Sequence, residues 1–151
     1  MEIKTGLLEH PQVLALLELH LADMNATSPA ESVHALDVSA LRDPQVTFWT
    51  GWKEGVLLGC AALKQLDAQH GEIKSMRTAT SARSQGVASS MLRHVLGHAR
   101  DNGLTRVSLE TGSMDFFAPA RALYEKYGFE YCEPFADYTL DPNSQFMTRT
   151  V

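Results

Sequence analysis

The sequence predicts an α/β fold, a mixed central sheet with helices on both faces. Three observations predict it. Residues 46–53 (VTFWTGWK), 56–66 (VLLGCAALKQL) and 71–78 (GEIKSMRT) are strand-like and are separated by two turn signals, Glu54-Gly55 and DAQHG, which is the pattern of an antiparallel meander. Residues 71–78 then lead through a helical segment, 84–101, to another strand-like stretch, 104–110. A strand–helix–strand crossover sets its two strands parallel, with a right-handed connection. Finally, 151 residues with 44% apolar content are enough for one core, and no linker, repeat or low-complexity run divides them, so residues 1–151 read as a single domain.

Taken in order, residues 2–8 form a short first strand. In 11–24, Val13, Leu16, Leu17, Leu21 and Met24 recur at helical spacing, and Pro11 suits the first turn. Ser28, Pro29 and Glu31 look like the start of a second helix that runs to about Arg42, where Asp43-Pro44 stops it. After the meander, the helix 84–101 presents Val87, Met91, Leu92, Val95 and Ala99 on one face and ends at Asn102-Gly103. Residues 117–127 make a short helix stopped by Gly128, and 129–133 and 145–151 supply two last strands. Trp49 and Trp52 differ by an odd number of positions, so they fall on opposite strand faces as core and rim residues.

A net charge of −5 argues against a nucleic-acid partner, which calls for a basic stripe. No apolar run approaches the ~20 residues needed to span a bilayer, so no membrane association is expected. The N-terminus has no secretory core, and the expected location is cytoplasmic. Cys60 and Cys132 are far apart and in no metal-type spacing, which fits two reduced thiols. His94 and His98 share a helix face without further ligands nearby and read as solvated residues; no metal is expected.

The chemistry is concentrated in RSQGVASSMLRH, residues 83–94. The first N–H groups of a helix have no intrahelical partner, and the helix dipole adds about half a positive charge there. Gly86, Ala88 and Ser89 keep this end small, so an anion can approach the backbone. The nucleotide-triphosphate loop needs a lysine after its glycine, and the dinucleotide fingerprint needs three spaced glycines; neither is present. Arg83, Ser84, Gln85, Gly86, Val87 and Ala88 do match Gln/Arg-x-x-Gly-x-Gly/Ala. That segment resembles the pyrophosphate loop of the GNAT superfamily of acetyl-CoA-dependent N-acetyltransferases. ARALYEKYGF, residues 120–129, resembles a second marker of the same family, and the element order resembles its fold over essentially the whole chain. SPAESVHAL, FWTGW, HGEIKSMRT, LETGSM and EPFADYTLDPNS are similar to the small bacterial YsnE-type subgroup, which speaks for fold and cofactor and says little of the acceptor.

The resemblance implies acetyl-CoA as co-substrate, lying where two parallel strands splay apart, here 71–78 and 104–110. Met76, Arg77 and Thr78 would pair through their backbone with the pantetheine arm, as an added strand does. Arg83 to Ser89 (Arg83, Ser84, Gln85, Gly86, Val87, Ala88, Ser89) would hold the pyrophosphate, with a charge-assisted contact from Arg83. Tyr124 matches the general acid that protonates the departing thiolate; the bland alternative is a core tyrosine bonded to a backbone carbonyl. Phe117 stands where many members have a cofactor-contacting Asn, and Ser113 and Asp115 are the candidate replacements.

The general base stays open among Glu72, Glu110, His34 and water. The acceptor pocket would be walled by residues 24–36, 111–116 and 135–138, which places His34 and Thr111 beside the acceptor. Arg77 and Arg149 are candidate anchors for an acceptor carboxylate, against the plainer reading of salt bridges. The implied activity is transfer of acetyl to a primary amine of a small metabolite, by direct attack in a ternary complex. The rival readings are acetylation of protein lysines or N-termini, and an acyl-CoA-binding sensor without catalysis. Many members dimerise, and the C-terminal strand is the candidate contact for a homodimer.

Overall fold

The computed structural model describes residues 1–30 and 37–151. The elements are β1 (Glu2–Thr5), α1 (Pro11–Thr27), α2 (Val38–Leu41), β2 (Val46–Lys53), β3 (Val56–Gln65), β4 (His70–Thr78), α3 (Val87–Asp101), β5 (Arg106–Gly112), α4 (Ala118–Lys126), β6 (Glu130–Tyr131) and β7 (Ser144–Thr150). The predicted order is therefore observed, and the differences lie at boundaries. The first strand stops at Thr5 because Gly6 and Leu7 both take positive φ. The second helix, expected over 28–42, is described only as the single turn Val38–Leu41, capped by Asp37, whose Oδ1 accepts from the Ala40 N–H at 2.8 Å. The helix expected from 84 begins at Val87, after a 3-10 turn at Thr80–Ala82 and a loop in which Ser84 and Gly86 have φ of +63° and +78°.

The seven strands lie in the order β1-β2-β3-β4-β5-β7-β6. All neighbours are antiparallel except β4 and β5. Alternation along the strands divides the core between the two faces. On one face α1 packs Val13, Leu16 and Leu17 against Phe48, Trp52, Cys60 and Ala62. On the other, α3 packs Met91, Leu92, Val95 and Leu96 against Trp49, Ala61, Leu63, Ile73 and Leu109. Trp49 and Trp52 thus lie on opposite faces as their parity requires, but both are buried. His94 and His98 lie edge-on to Trp49, at 5.5 and 4.9 Å, with His94 exposed and His98 half-buried, so the pair borders the core from a solvated helix face. Among the described residues no group of three or more metal-type ligands occurs, and no helix is long and apolar enough to cross a membrane.

Two irregularities of β4 shape the ground between the two cores. Its parallel register with β5 runs only from His70↔Arg106 to Ile73↔Leu109, although β4 continues to Thr78 and β5 to Gly112. Against β3, the register passes from Ala62↔Lys74 to Cys60↔Arg77, so β4 carries one extra residue there. Ser75, with φ +51°, lies in that bulge. A bulge bends its strand and shifts side-chain alternation by one position. Lys74 and Arg77, three apart, consequently both point to the α1 face: Arg77 pairs with Asp23 of α1, and Lys74 reaches Tyr138 beside Phe146.

Candidate active site

Where β4 and β5 part, a cleft of about 680 Å³ opens, within the size range of small-molecule sites. β4 lines it from Glu72 to Thr78 and β5 from Leu109 to Gly112. Beyond Ile73, the edge of β4 that faces β5 has no strand partner among the described residues. Its backbone N–H and C=O groups between Lys74 and Thr78 are therefore available to an extended ligand. Met76, Arg77 and Thr78 all line the cleft.

The loop before α3 closes one end. Gly86 is the N-cap of α3 in the left-handed conformation, and no side chain caps the helix. The first intrahelical bond is Ser90 N–H to Gly86 O, at 3.1 Å, so the N–H groups of Val87, Ala88 and Ser89 are unpaired within the helix. No acidic residue lies in this first turn to compete with an anion. A Cβ at Gly86 would meet no protein atom within 4 Å, so the backbone dihedral, not crowding from the protein, is what demands glycine. Arg83, Ser84 and Gly86 to Ser89 line the cleft; the Gln85 side chain turns away, donating to the Ser81 carbonyl at 3.3 Å.

On the α3–α4 side, Tyr124 is buried in the wall. Its hydroxyl donates to the Met76 Sδ at 3.6 Å, a weak acceptor, rather than to a backbone carbonyl as a core tyrosine would. Burial first, and then the carboxylate of Glu110, raise its phenol pKa, so the protonated form is held at neutral pH. Phe117 packs flat on Gly112, where a Cβ would lie 2.1 Å from its ring. Ser113 and Asp115, the candidate replacements for the missing Asn, are not among the cleft-lining residues; Ser113 donates to the Pro142 carbonyl instead. Asn143 does line the cleft, from the segment before β7, and no sequence pattern singles it out.

The α1 side is polar. Glu110 accepts a bond from Ser144 at 3.3 Å, and its pKa is raised to about 7, chiefly by desolvation. Glu72 is buried and accepts from Tyr138 at 2.5 Å and from Lys74 at 3.1 Å, while Lys74 also reaches the Tyr138 hydroxyl at 2.9 Å. Burial, then Glu72, push the Tyr138 phenol up. His20, from α1, is buried in the same wall with its pKa lowered to about 4, by desolvation and then by the charge of Arg77. Thr111 lines the cleft; His34 lies outside the described residues. Of the expected acceptor walls, Met24, Ser28, Thr111, Phe116 and Tyr138 are present, but Phe135 instead stacks behind Tyr138. Arg149 is elsewhere, donating to the Tyr127 carbonyl at the end of α4. Lys74 and His20 are additions that sequence reasoning missed: the bulge that directs Lys74 has no sequence signature, and His20 differs from a solvated helix residue only by falling seven after Val13.

A helix end open to anions, an unpaired strand edge and a buried phenol meet in one cleft. Comparison with known proteins agrees. Residues 13–129 match the acetyltransferase (GNAT) family. The chain is 54% identical over 149 residues to the uncharacterised N-acetyltransferase YsnE of Bacillus subtilis, covering 99% of both proteins. It superposes with a TM-score of 0.83 and 25% identity on a Klebsiella pneumoniae structure assigned to the acyl-CoA N-acyltransferases, over 99% of this chain and 96% of that one. A GNAT acetyltransferase from Elizabethkingia anophelis, solved with acetyl-CoA bound, matches in fold with a TM-score of 0.70 and 18% identity, over 99% and 97% of the two chains. The chain belongs to the GNAT family of acyltransferases.

Proposed function

We propose that this protein moves acetyl from acetyl-CoA to a primary amine of a small metabolite, by direct attack in a ternary complex. The observation that carries the reading is the parting of β4 from β5, which sets the open end of α3, Tyr124 and Glu110 around one cleft. The cleft fits acetyl-CoA: unpaired N–H groups at Val87 to Ser89 suit a pyrophosphate, and the free edge of β4 suits a pantetheine arm with its two amides. The acetyl-CoA of the Elizabethkingia structure supports the same choice on the same fold.

The chemistry follows from where the groups stand. An ammonium acceptor gives a proton to Glu110, which with a pKa of about 7 is partly ionised at neutral pH and basic enough to take it. The amine nitrogen bonds to the thioester carbon, the carbon–sulfur bond breaks, and the thiolate receives a proton from the Tyr124 hydroxyl; the second proton that nitrogen sheds as the amide forms restores the phenol, and Glu110 releases the first to solvent. Glu72 is tied to Lys74 and Tyr138, so it orders the wall rather than acting as the base. The reading treats residues 1–151 as one domain, because both faces of the single sheet contribute to the cleft.

The test is calorimetric titration with acetyl-CoA and with CoA, followed by thiol release on addition of amines. Acetyl-CoA binding and amine-dependent thiol release are expected. Absence of binding to either ligand refutes the reading.

A further inference from the structure

Among the described residues, three buried side-chain atoms lack any hydrogen-bond partner: His20 Nδ1, Ser75 Oγ and Arg77 Nε. Buried polar groups in folded proteins are nearly always paired, so such an atom asks for an explanation. All three residues line the cleft, on the side away from Tyr124 where α1 meets the bulge of β4. The three residues therefore share one cleft, at the side to which α1 contributes.

From these residues we infer that the amine acceptor also carries a carboxylate, in the manner of a free amino acid, and that Arg77, with His20 and Ser75, holds it. The inference rests on the acetyl-transfer reading above and names the acceptor class for that same site. Arg77 brings a cation whose Nη2 is engaged by Asp23 and whose Nε–H is unspent. Guanidinium edges match carboxylates in shape and charge. Ser75 can donate its hydroxyl hydrogen, and His20, held neutral by its surroundings, can donate from one ring nitrogen.

The charges of the wall point the same way. Glu72 is paired with Lys74, and Asp23 with Arg77. Among the described residues that line the cleft, Glu110 is the other carboxyl; it accepts from the neutral Ser144 hydroxyl and feels the charges of Lys74, Glu72 and Asp141. A lone ammonium fits Glu110 but leaves the donors around Arg77 unused. A zwitterion places its ammonium at Glu110 and its carboxylate at Arg77, and both charges are then matched within a partly desolvated cleft. Asp23 stands against a dianionic group such as a phosphate, because its own charge already occupies one edge of the guanidinium.

The experiment is thiol release with α- and ω-amino acids, each beside its carboxamide and its decarboxylated amine, after acetyl-CoA binding has been measured on the same preparation. Expected is a preference of about ten- to hundredfold in kcat/KM for the acid over its amide, the range of a charge-assisted hydrogen bond. In Arg77→Lys the ammonium retains the pair with Asp23 but has no Nε–H edge, and the acid-to-amide ratio should fall about tenfold, mainly through the acceptor KM. The wild-type ratio needs no variant to fold, and His20→Gln provides a second one. Binding of acetyl-CoA with amides or plain amines used as well as acids, with no member of the panel acetylated, or with a ratio unmoved in folded Arg77→Lys overturns the inference and leaves the acetyl-transfer reading standing. Failure to bind acetyl-CoA removes both.

Discussion

Glu110→Gln is expected to stabilise the protein at alkaline pH while removing most of its activity. In the folded chain this carboxyl is raised from 4.5 to about 7, chiefly by desolvation. A raised carboxyl pKa means that folding favours the protonated form. The associated stability is fully present below pH 4.5, is lost as pH rises toward about 7, and is gone above it. At ~1.36 kcal/mol per pH unit, the loss amounts to at most roughly 3 kcal/mol. Glutamine keeps the shape, has no charge to desolvate, and escapes the loss. His20 opposes this in the wild type. Its pKa is lowered from 6.5 to about 4, so its contribution grows as pH rises from 4 to 6.5. The two slopes nearly cancel between 4.5 and 6.5, so only the difference between wild type and variant isolates Glu110. Urea unfolding at pH 5 and pH 8 measures it. With an m-value of about 2 kcal/mol/M, the midpoint advantage of Glu110→Gln should be larger at pH 8 by roughly 1 M. Turnover should fall about 10²- to 10⁴-fold, the usual contribution of a positioned base. The wild-type rise of kcat/KM through pH 7 should disappear. An advantage that does not grow between pH 5 and pH 8 would show that Glu110 is well solvated, and the argument for it as the base would fail.

Gly86→Glu should weaken acetyl-CoA binding more than tenfold by placing a carboxylate at the open end of α3, whereas Gly86→Asn, which tolerates positive φ, should bind far better; equal affinities by calorimetry would dissociate this turn from the pyrophosphate. Tyr124→Phe should lower kcat at least tenfold with acetyl-CoA affinity and melting temperature nearly unchanged, because the hydroxyl donates to the Met76 sulfur, a weak acceptor; an unchanged kcat rejects it as the acid. Ser75→Gly should stabilise the protein by about 1 kcal/mol, since it relieves a φ of +51° and removes an unpaired buried hydroxyl; a loss of stability in denaturant melts would mean that the hydroxyl is satisfied in solution.

Much of this arrangement was legible in the sequence. The ends of β2, and β3 to within one residue, follow from alternation and from Glu54-Gly55, because a half-buried strand and a tight turn leave local signatures. The open N-terminal end of α3 was legible because a glycine and two small residues stand together at a helix start. The polar wall around Glu72 and Tyr138 was not. Residues 132–143 carry no periodic pattern; Tyr138 reaches Glu72 because Phe135 and Phe146 stack against its ring, contacts spread over distant positions. Of the helix expected from Ser28-Pro29 to Arg42, residues 31–36 lie outside the described residues, and Val38–Leu41 is the described α-helical turn.

The bulge at Ser75 explains why the α3–α4 and α1 sides of the cleft can differ so sharply across a strand only nine residues long. HGEIKSMRT reads as an unbroken strand, and strict alternation would send Arg77 to the face opposite Lys74. The extra residue reverses that parity. Met76 then packs toward the α3–α4 core and under the Tyr124 hydroxyl, while Glu72, Lys74 and Arg77 form one polar row toward α1. The same bend accompanies the parting of β4 from β5 that opens the cleft. One inserted position thus relates three properties that sequence patterns treat as separate: the free strand edge, the apolar wall toward α4 and the charged wall toward α1. Ser75 is unfavourable by local rules, with a positive φ and an unpaired hydroxyl, and local strain of this kind is found where a site depends on it.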